Sequence, residues 1–507
     1  MGPSVGHVTT AGGHDGRPLP ALARRRPRVG SASVAAAGAI AGSVVLAVLL
    51  RIPFLSTGLS PDEGGYAYVA SQWARGARLY GTDWVDRPQG LLVAYRLLLD
   101  VGHSAWAIRL GALLFAAGIT VLLGVAGWLL AGPRAGAVAA VVYAVVGVAP
   151  HLQGFTFNGE LVASLPVTGC VVASLAWRRD GRARWLVAAG AAAGLGVLMK
   201  QSAFDGLVVA LAVALAGGHG ARRRLANASV LAAGAAIPLG ASAIHGALTG
   251  WGDYWFAVVG YKLSAPSGAS VDVTSRLGAL GTSWLGARRD LGTIVLVVLA
   301  LVALAVAQRK RIWLPALWLG AAFIGMNAAS LYWPHYYVQL LPPLALLVAV
   351  GGASLPGRLL PLGVVALVVV PALLELRHLQ QLSPPARQRV IPYYGQFVRD
   401  QRVATEVDRL TRPGQAIYAL DSEADLYFIA DRPAPFRYLW GHPLEEVPGA
   451  LGQLRSLLSG ARRPRLVVVF RSAPLVDSSG KLARILARDY RPLEIVPGTN
   501  VPILQRT

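Results

Sequence analysis

The chain has 507 residues, of which 54% are hydrophobic and only 14% charged, whereas soluble globular proteins carry about 25% charged residues. That balance excludes an ordinary soluble enzyme and a disordered protein. The net charge of +22, from 47 Lys+Arg against 25 Asp+Glu, argues against a nucleic-acid partner, because the basic residues form short clusters between apolar runs, as in membrane proteins.

Residues 1–31 are rich in Gly, Pro and Arg without apolar periodicity, and are expected to be a disordered, basic cytoplasmic terminus. A membrane span needs about 20 apolar residues. Eleven stretches qualify: 32–53, 105–130, 135–150, 159–177, 185–200, 203–217, 226–248, 291–307, 312–331, 335–351 and 357–375. The first reads as a retained anchor, since no convincing cleavage site and soluble chain follow it. Arg24, Arg25, Arg26 and Arg28, then Arg134, Arg178, Arg179, Arg182 and Arg184, Arg222 to Arg224, Arg309 to Arg311 and Arg358 punctuate these runs. The positive-inside rule puts them in the cytoplasm. The alternation closes only if residues 88–102, which include Arg96, form a helix on the outer face rather than a crossing. Arg288 and Arg289 oppose the trend, at the end of a long loop where the rule weakens.

This topology gathers the loop 54–104, the turn at 151–160, Lys200, the loop 249–290 and the aromatic cluster 332–337 on the outer side. Beyond residue 380 the composition becomes more polar. Residues 386–507 alternate β-rich runs (416–420 and 465–470) with helical stretches (395–411, 445–460 and 479–488), which predicts an extracytoplasmic α/β domain of three to five strands. The expected domains are thus 1–31, a transmembrane unit at 32–380, and 386–507. One cysteine, Cys170, builds neither a disulfide framework nor a thiolate metal site.

Chemistry-bearing groups concentrate on the outer side. Ser60-Pro61-Asp62-Glu63-Gly64-Gly65-Tyr66 sets two adjacent carboxylates at the start of a helix expected to lie on the membrane surface. They serve either as a helix cap and dipole complement or as a general base. Asp83-Trp84-Val85-Asp86-Arg87-Pro88-Gln89-Gly90 mixes acid, base and aromatic groups. Glu160 begins a span, in Phe157-Asn158-Gly159-Glu160. Lys200 is either a snorkelling lysine or a cation for a lipid phosphate. Tyr332-Trp333-Pro334-His335-Tyr336-Tyr337 has an aromatic-belt pattern, to which His335 adds a phosphate donor. Tyr261-Lys262 and Arg276 are weaker candidates. No P-loop, HExxH, paired CxxC or GxSxG occurs, and acids in mid-span, expected of an ion-coupled transporter, are nearly absent.

Together these pieces resemble the polytopic GT-C glycosyltransferases, in particular the bacterial branch of glycosyltransferase family 39 type that includes protein O-mannosyltransferases and the lipid A aminoarabinose transferase. The resemblance covers about residues 45–375. It rests on Arg51, Pro61-Asp62-Glu63 and Tyr66, Arg87-Pro88, Ala105-Trp106-Ala107-Ile108-Arg109-Leu110, Asn158-Gly159-Glu160, the run from Gly194 to Lys200, and Pro334-His335-Tyr336 with Leu341-Pro342-Pro343. Gln89 stands where the group often has a second proline.

The resemblance implies a bacterial cytoplasmic-membrane enzyme of the cell envelope. It would move a sugar from a polyprenyl-phosphate donor to a hydroxyl of a glycan, lipid or protein acceptor, with inversion. In that scheme Asp62 is the base, Glu63 orients it or the acceptor, and Glu160 is a second acid near the sugar. Arg87, Lys200 and His335, with Tyr336, Lys262 and Arg276, bind the donor phosphate. A divalent metal between phosphate and carboxylates stays open. So does a different function, a lipid-linked saccharide transporter or a non-catalytic assembly protein, because shared folds do not fix function.

Overall fold

A computed structural model of the protein describes residue 2 and residues 31–218, 220–264, 273–307, 312–328, 331–357, 359–421 and 423–507. The basic terminus, Arg309 to Arg311, Arg358 and part of the loop 249–290 lie outside the described residues.

Over its described residues, each of the eleven apolar stretches is mainly helical. In chain order, the first nine α-helices are α1 (Ser31–Arg51), α2 (Pro61–Ala74), α3 (Gln89–Leu99), α4 (Ala105–Ala131), α5 (Pro133–Val146), α6 (Gly159–Asp180), α7 (Ala183–Met199), α8 (Asp205–Ala216) and α9 (Ala221–Thr249). Helices Val273–Ala307, Trp313–Asn327, Leu341–Ala353 and Leu359–Gln381 follow. Among the described residues six helices are long and apolar enough to cross a membrane: Ser31–Phe54, Ala105–Ala131, Gly159–Asp180, Ala221–Thr249, Pro334–Ala353 and Leu359–Gln381. The others are shorter, and the stretch at 291–307 is the end of a 35-residue helix. Val45, Leu49, Ile237, Ile244, Leu362 and Leu367 stay exposed, as a surface solvated by acyl chains allows. The chain is a multi-pass membrane protein.

Apolar surface gives little driving force between helices in lipid, so close approach of small residues holds them together. α7 and α9 show this at Gly190 and Gly234. A Cβ at the first would overlap the Leu231 carbonyl oxygen, and one at the second the Val187 carbonyl oxygen.

α3 is the short helix expected at 88–102. It buries Leu91, Leu92 and Tyr95 and exposes Val93 and Leu97. α2 departs from expectation. A helix lying on the membrane surface should keep a wet face, yet Glu63 through Ser71 are all buried. The C-terminal segment covers the side that the membrane helices do not.

That segment carries a four-stranded sheet in the order β1-β2-β4-β3, from β1 (Ile417–Leu420), β2 (Leu466–Val469), β3 (Tyr490–Ile495) and β4 (Pro502–Arg506). β1 and β2 are parallel, with Ile417 opposite Leu466, and β4 runs antiparallel to both β2 and β3. Helices Tyr394–Leu410, Ala450–Ser459 and Lys481–Asp489 pack around it. The parallel pair coincides with the two β-rich runs. The antiparallel edge at 490–506 is a further pair, whose Pro492 and Pro502 obscure the alternation.

Candidate active site

The site starts at the N-terminus of α2. Ser60 is the N-cap, and its hydroxyl accepts the Glu63 amide at 3.2 Å while a Glu63 carboxylate oxygen accepts the Ser60 amide at 3.0 Å. This is a capping box, which satisfies two orphan donors reciprocally. The other Glu63 oxygen takes the Phe157 amide at 2.7 Å and a charged hydrogen bond from Arg109, whose guanidinium also reaches the Gly58 carbonyl. Glu63 is fully buried. Its carboxylate is engaged on every side in joining α2 to α4 and to the turn before α6. Both Glu63 oxygens are thus taken up by Ser60, Phe157 and Arg109.

Asp62 points elsewhere. Its side chain is 28% exposed, and Oδ2 stands 3.9 Å from His335 Nε2. The same imidazole nitrogen is 3.9 Å from Glu160 Oε1. Glu160, in the first turn of α6, is ion-paired with Lys200, the residue that ends α7. Lys200 Nζ lies 3.9 Å from the centroid of the Tyr336 ring. Three helix ends and the 3₁₀ turn Pro334–Leu340 thus bring Asp62, Glu160, Lys200, His335 and Tyr336 together.

A second group adjoins the first. Arg87 pairs with Asp86 at 2.7 Å, and Lys262 with the same Asp86 oxygen at 2.5 Å. Burial works against a charged Asp86, but Arg87 and Lys262 outweigh it and hold the carboxyl below the usual carboxylate range. Gln201, next to Lys200, donates to the Asp86 carbonyl at 2.9 Å. The Arg87 guanidinium lies 5.7 Å from the Tyr66 ring centroid. Arg276, on the helix Val273–Ala307, makes no ion pair with a described residue and joins neither group.

Sequence reasoning missed what the C-terminal segment brings. The Trp440 indole N–H donates to Asp62 Oδ1 at 3.2 Å. Tyr261 bonds Glu446, the Trp84 amide donates to the Arg437 carbonyl at 3.0 Å, and Arg437 pairs with Asp253 at 3.4 Å. A sequence signal for this docking was the aromatic density of Phe436-Arg437-Tyr438-Leu439-Trp440. Among the described residues no group of three or more His, Cys, Asp or Glu side chains is arranged as a metal site.

The comparisons with known proteins give the GT-C membrane glycosyltransferase fold. The family described as dolichyl-phosphate-mannose-protein mannosyltransferase matches residues 86–245. Among solved structures, ArnT from Cupriavidus metallidurans bound to undecaprenyl phosphate superposes with a TM-score of 0.61 at 16% identity, covering 94% of this chain and 98% of that one. Its apo state gives 0.63 at 15% identity over 93% and 98%. The archaeal oligosaccharyltransferase AglB from Archaeoglobus fulgidus, in complex with an inhibitory peptide and a dolichol-phosphate, gives 0.50 at 11% identity over 90% and 72%. No curated protein sequence matches the chain. The resemblance seen in the sequence is a resemblance of fold as well.

Proposed function

We propose that this protein is a glycosyltransferase that moves a sugar from a polyprenyl-phosphate donor to an acceptor hydroxyl at the outer face of a bacterial cytoplasmic membrane, with inversion. The observation that carries the reading is the placement of His335 Nε2 at 3.9 Å from both Asp62 and Glu160, with Lys200 on Glu160. Acid and cation are then held side by side where a lipid-borne phosphosugar can reach them from the bilayer.

An alcohol is a weak nucleophile, so Asp62 accepts its proton as attack on the anomeric carbon proceeds. A single displacement inverts that carbon. The phosphodiester donor carries one negative charge, and the departing polyprenyl monophosphate carries up to two. Arg87, Lys200, Lys262 and His335 therefore bind the leaving group more strongly as the bond breaks than in the ground state, the condition for catalysis by electrostatics. Asp86 and Glu160 keep these cations in place before the donor arrives, and Tyr336 fixes the lysine head. A diphosphate-free, lipid-linked donor also accounts for the absence of nucleotide-binding motifs.

The test is a transfer assay over a panel of polyprenyl-phosphate sugars, with products read by mass spectrometry. Asp62→Asn keeps the shape of the side chain but cannot take the proton. Transfer should fall by about 10²–10⁴-fold while the variant folds and binds donor as before. An unimpaired rate would remove Asp62 from the chemistry.

A further inference from the structure

We propose that Trp440 is a positioning residue for Asp62, so that the C-terminal segment completes the reacting site; the inference rests on the reading of Asp62 as the base. A carboxylate in the first turn of a helix has two rotatable bonds and two equivalent oxygens. To act as a base it must hold one oxygen within hydrogen-bond reach of the acceptor hydroxyl, in a fixed direction. The Trp440 indole supplies that constraint. Its N–H donates to Oδ1 at 3.2 Å, which leaves Oδ2 as the oxygen toward His335. Indole nitrogen is a donor only, so it occupies one oxygen without competing for the proton that the other takes.

The indole is itself fixed. It packs on the Tyr66 ring, centroids 5.6 Å apart and planes 40° apart. It also lies against Gly65, where a Cβ would overlap Trp440 Cζ2 and stand 2.8 Å from the Ala424 Cβ. Glycine at that position is what lets the ring come close enough to reach Asp62. Arg87 lies over the same Tyr66 ring. One aromatic ring thus ties the residue that orients the base to a cation placed for the phosphate. The main chain before Trp440 is pinned by the Trp84 amide on the Arg437 carbonyl and by Tyr438 against Trp84, centroids 5.4 Å apart.

Initial rates on the full-length chain in detergent, with the donor and acceptor found in the panel, decide the matter. Trp440→Phe keeps a ring on Tyr66 and Gly65 but loses the donor. We expect kcat to fall about ten- to a hundredfold, with KM for the donor and the melting temperature little changed. Trp440→His, which restores an N–H, should recover part of kcat. In an Asp62→Asn background, Trp440→Phe should add no further loss, since two residues acting through one step are not additive. Independent, additive losses would overturn the inference, as would an unchanged kcat in Trp440→Phe. If Trp440→Phe unfolds the chain, failure of Trp440→His to retain more activity than Trp440→Ala overturns it equally. An unimpaired Asp62→Asn strikes instead at the base assignment. Loss in Asp62→Asn with no effect of Trp440→Phe strikes at Trp440 alone.

Discussion

Asp62 and Glu63 are successive residues of α2, so their side chains leave the helix about 100° apart. That angle sends Glu63 inward to Arg109 and the Phe157 amide, and Asp62 outward to Trp440 and His335. Removing one partner of a buried ion pair leaves the other charge uncompensated and costs about 3–5 kcal/mol. Glu63→Gln should therefore lower the melting temperature markedly, whereas Asp62→Asn should leave it near the parent value. Melting curves of the two purified variants check this, and equal midpoints would refute the division of roles. Part of that division was legible: Ser60 and Glu63 have the three-residue spacing of a capping box, which marks the second acid as a helix-start residue. What local sequence could not say is that Arg109, 46 residues further on, would close over it.

The contact between α2 and the short helix Asp425–Ile429 sets the chemistry of a buried acid. A Cβ at Gly64 would overlap Asp425 Cβ, so Asp425 is pressed against α2. Both its carboxyl oxygens are buried without a hydrogen-bond partner. Burial, then Asp400 and Glu423, push Asp425 well above the ordinary carboxyl range, and burial outweighs Arg399 to push Asp400 up to about 7. The folded chain thus holds protons that the unfolded chain releases above about pH 4. The stability these groups contribute is complete below that pH and is lost as the pH rises, through about 7 for Asp400. Tryptophan-fluorescence melts from pH 4 to pH 8 should show a midpoint that falls as pH rises, and Asp425→Asn should flatten the trend. A variant whose midpoint follows the same pH course as the parent would show that Asp425 is not the source. The sequence announced this docking only obliquely. Two adjacent glycines early in a helix each cost about 1 kcal/mol relative to alanine, which asks for a close neighbour but does not name it.

Across the whole molecule, the apolar runs were readable because 20-residue hydrophobic stretches have few other fates. The burial of α2 was not, because it depends on a segment hundreds of residues away. Arg87, Lys200 and His335 were legible as charged or polar groups at the ends of apolar runs, while Asp86 stood out only as part of the mixed run 83–90 and Trp440 not at all, because each becomes meaningful only through its partner. The positive-inside pattern makes a sharp prediction for the whole chain. With Cys170 replaced by serine, a cysteine at Arg462→Cys should react with an impermeant maleimide added to intact cells, and one at Arg222→Cys should not. The reverse labelling would invert the molecule and move the site to the other face.

Asp62 and the indole that holds it are separated by 378 positions in the chain. A ribosome adding 5–20 residues per second takes about 20–75 s to cover that distance. Until that interval ends, the Gly64–Gly65 face of α2 and the Asp62 carboxylate lack their C-terminal partners, while the surrounding helices are made one after another. The site can mature only when nearly the last quarter of the chain has been made and has folded back onto one of its earliest helices, so each molecule passes through a stage in which it is anchored in the bilayer but not yet assembled at its reacting end.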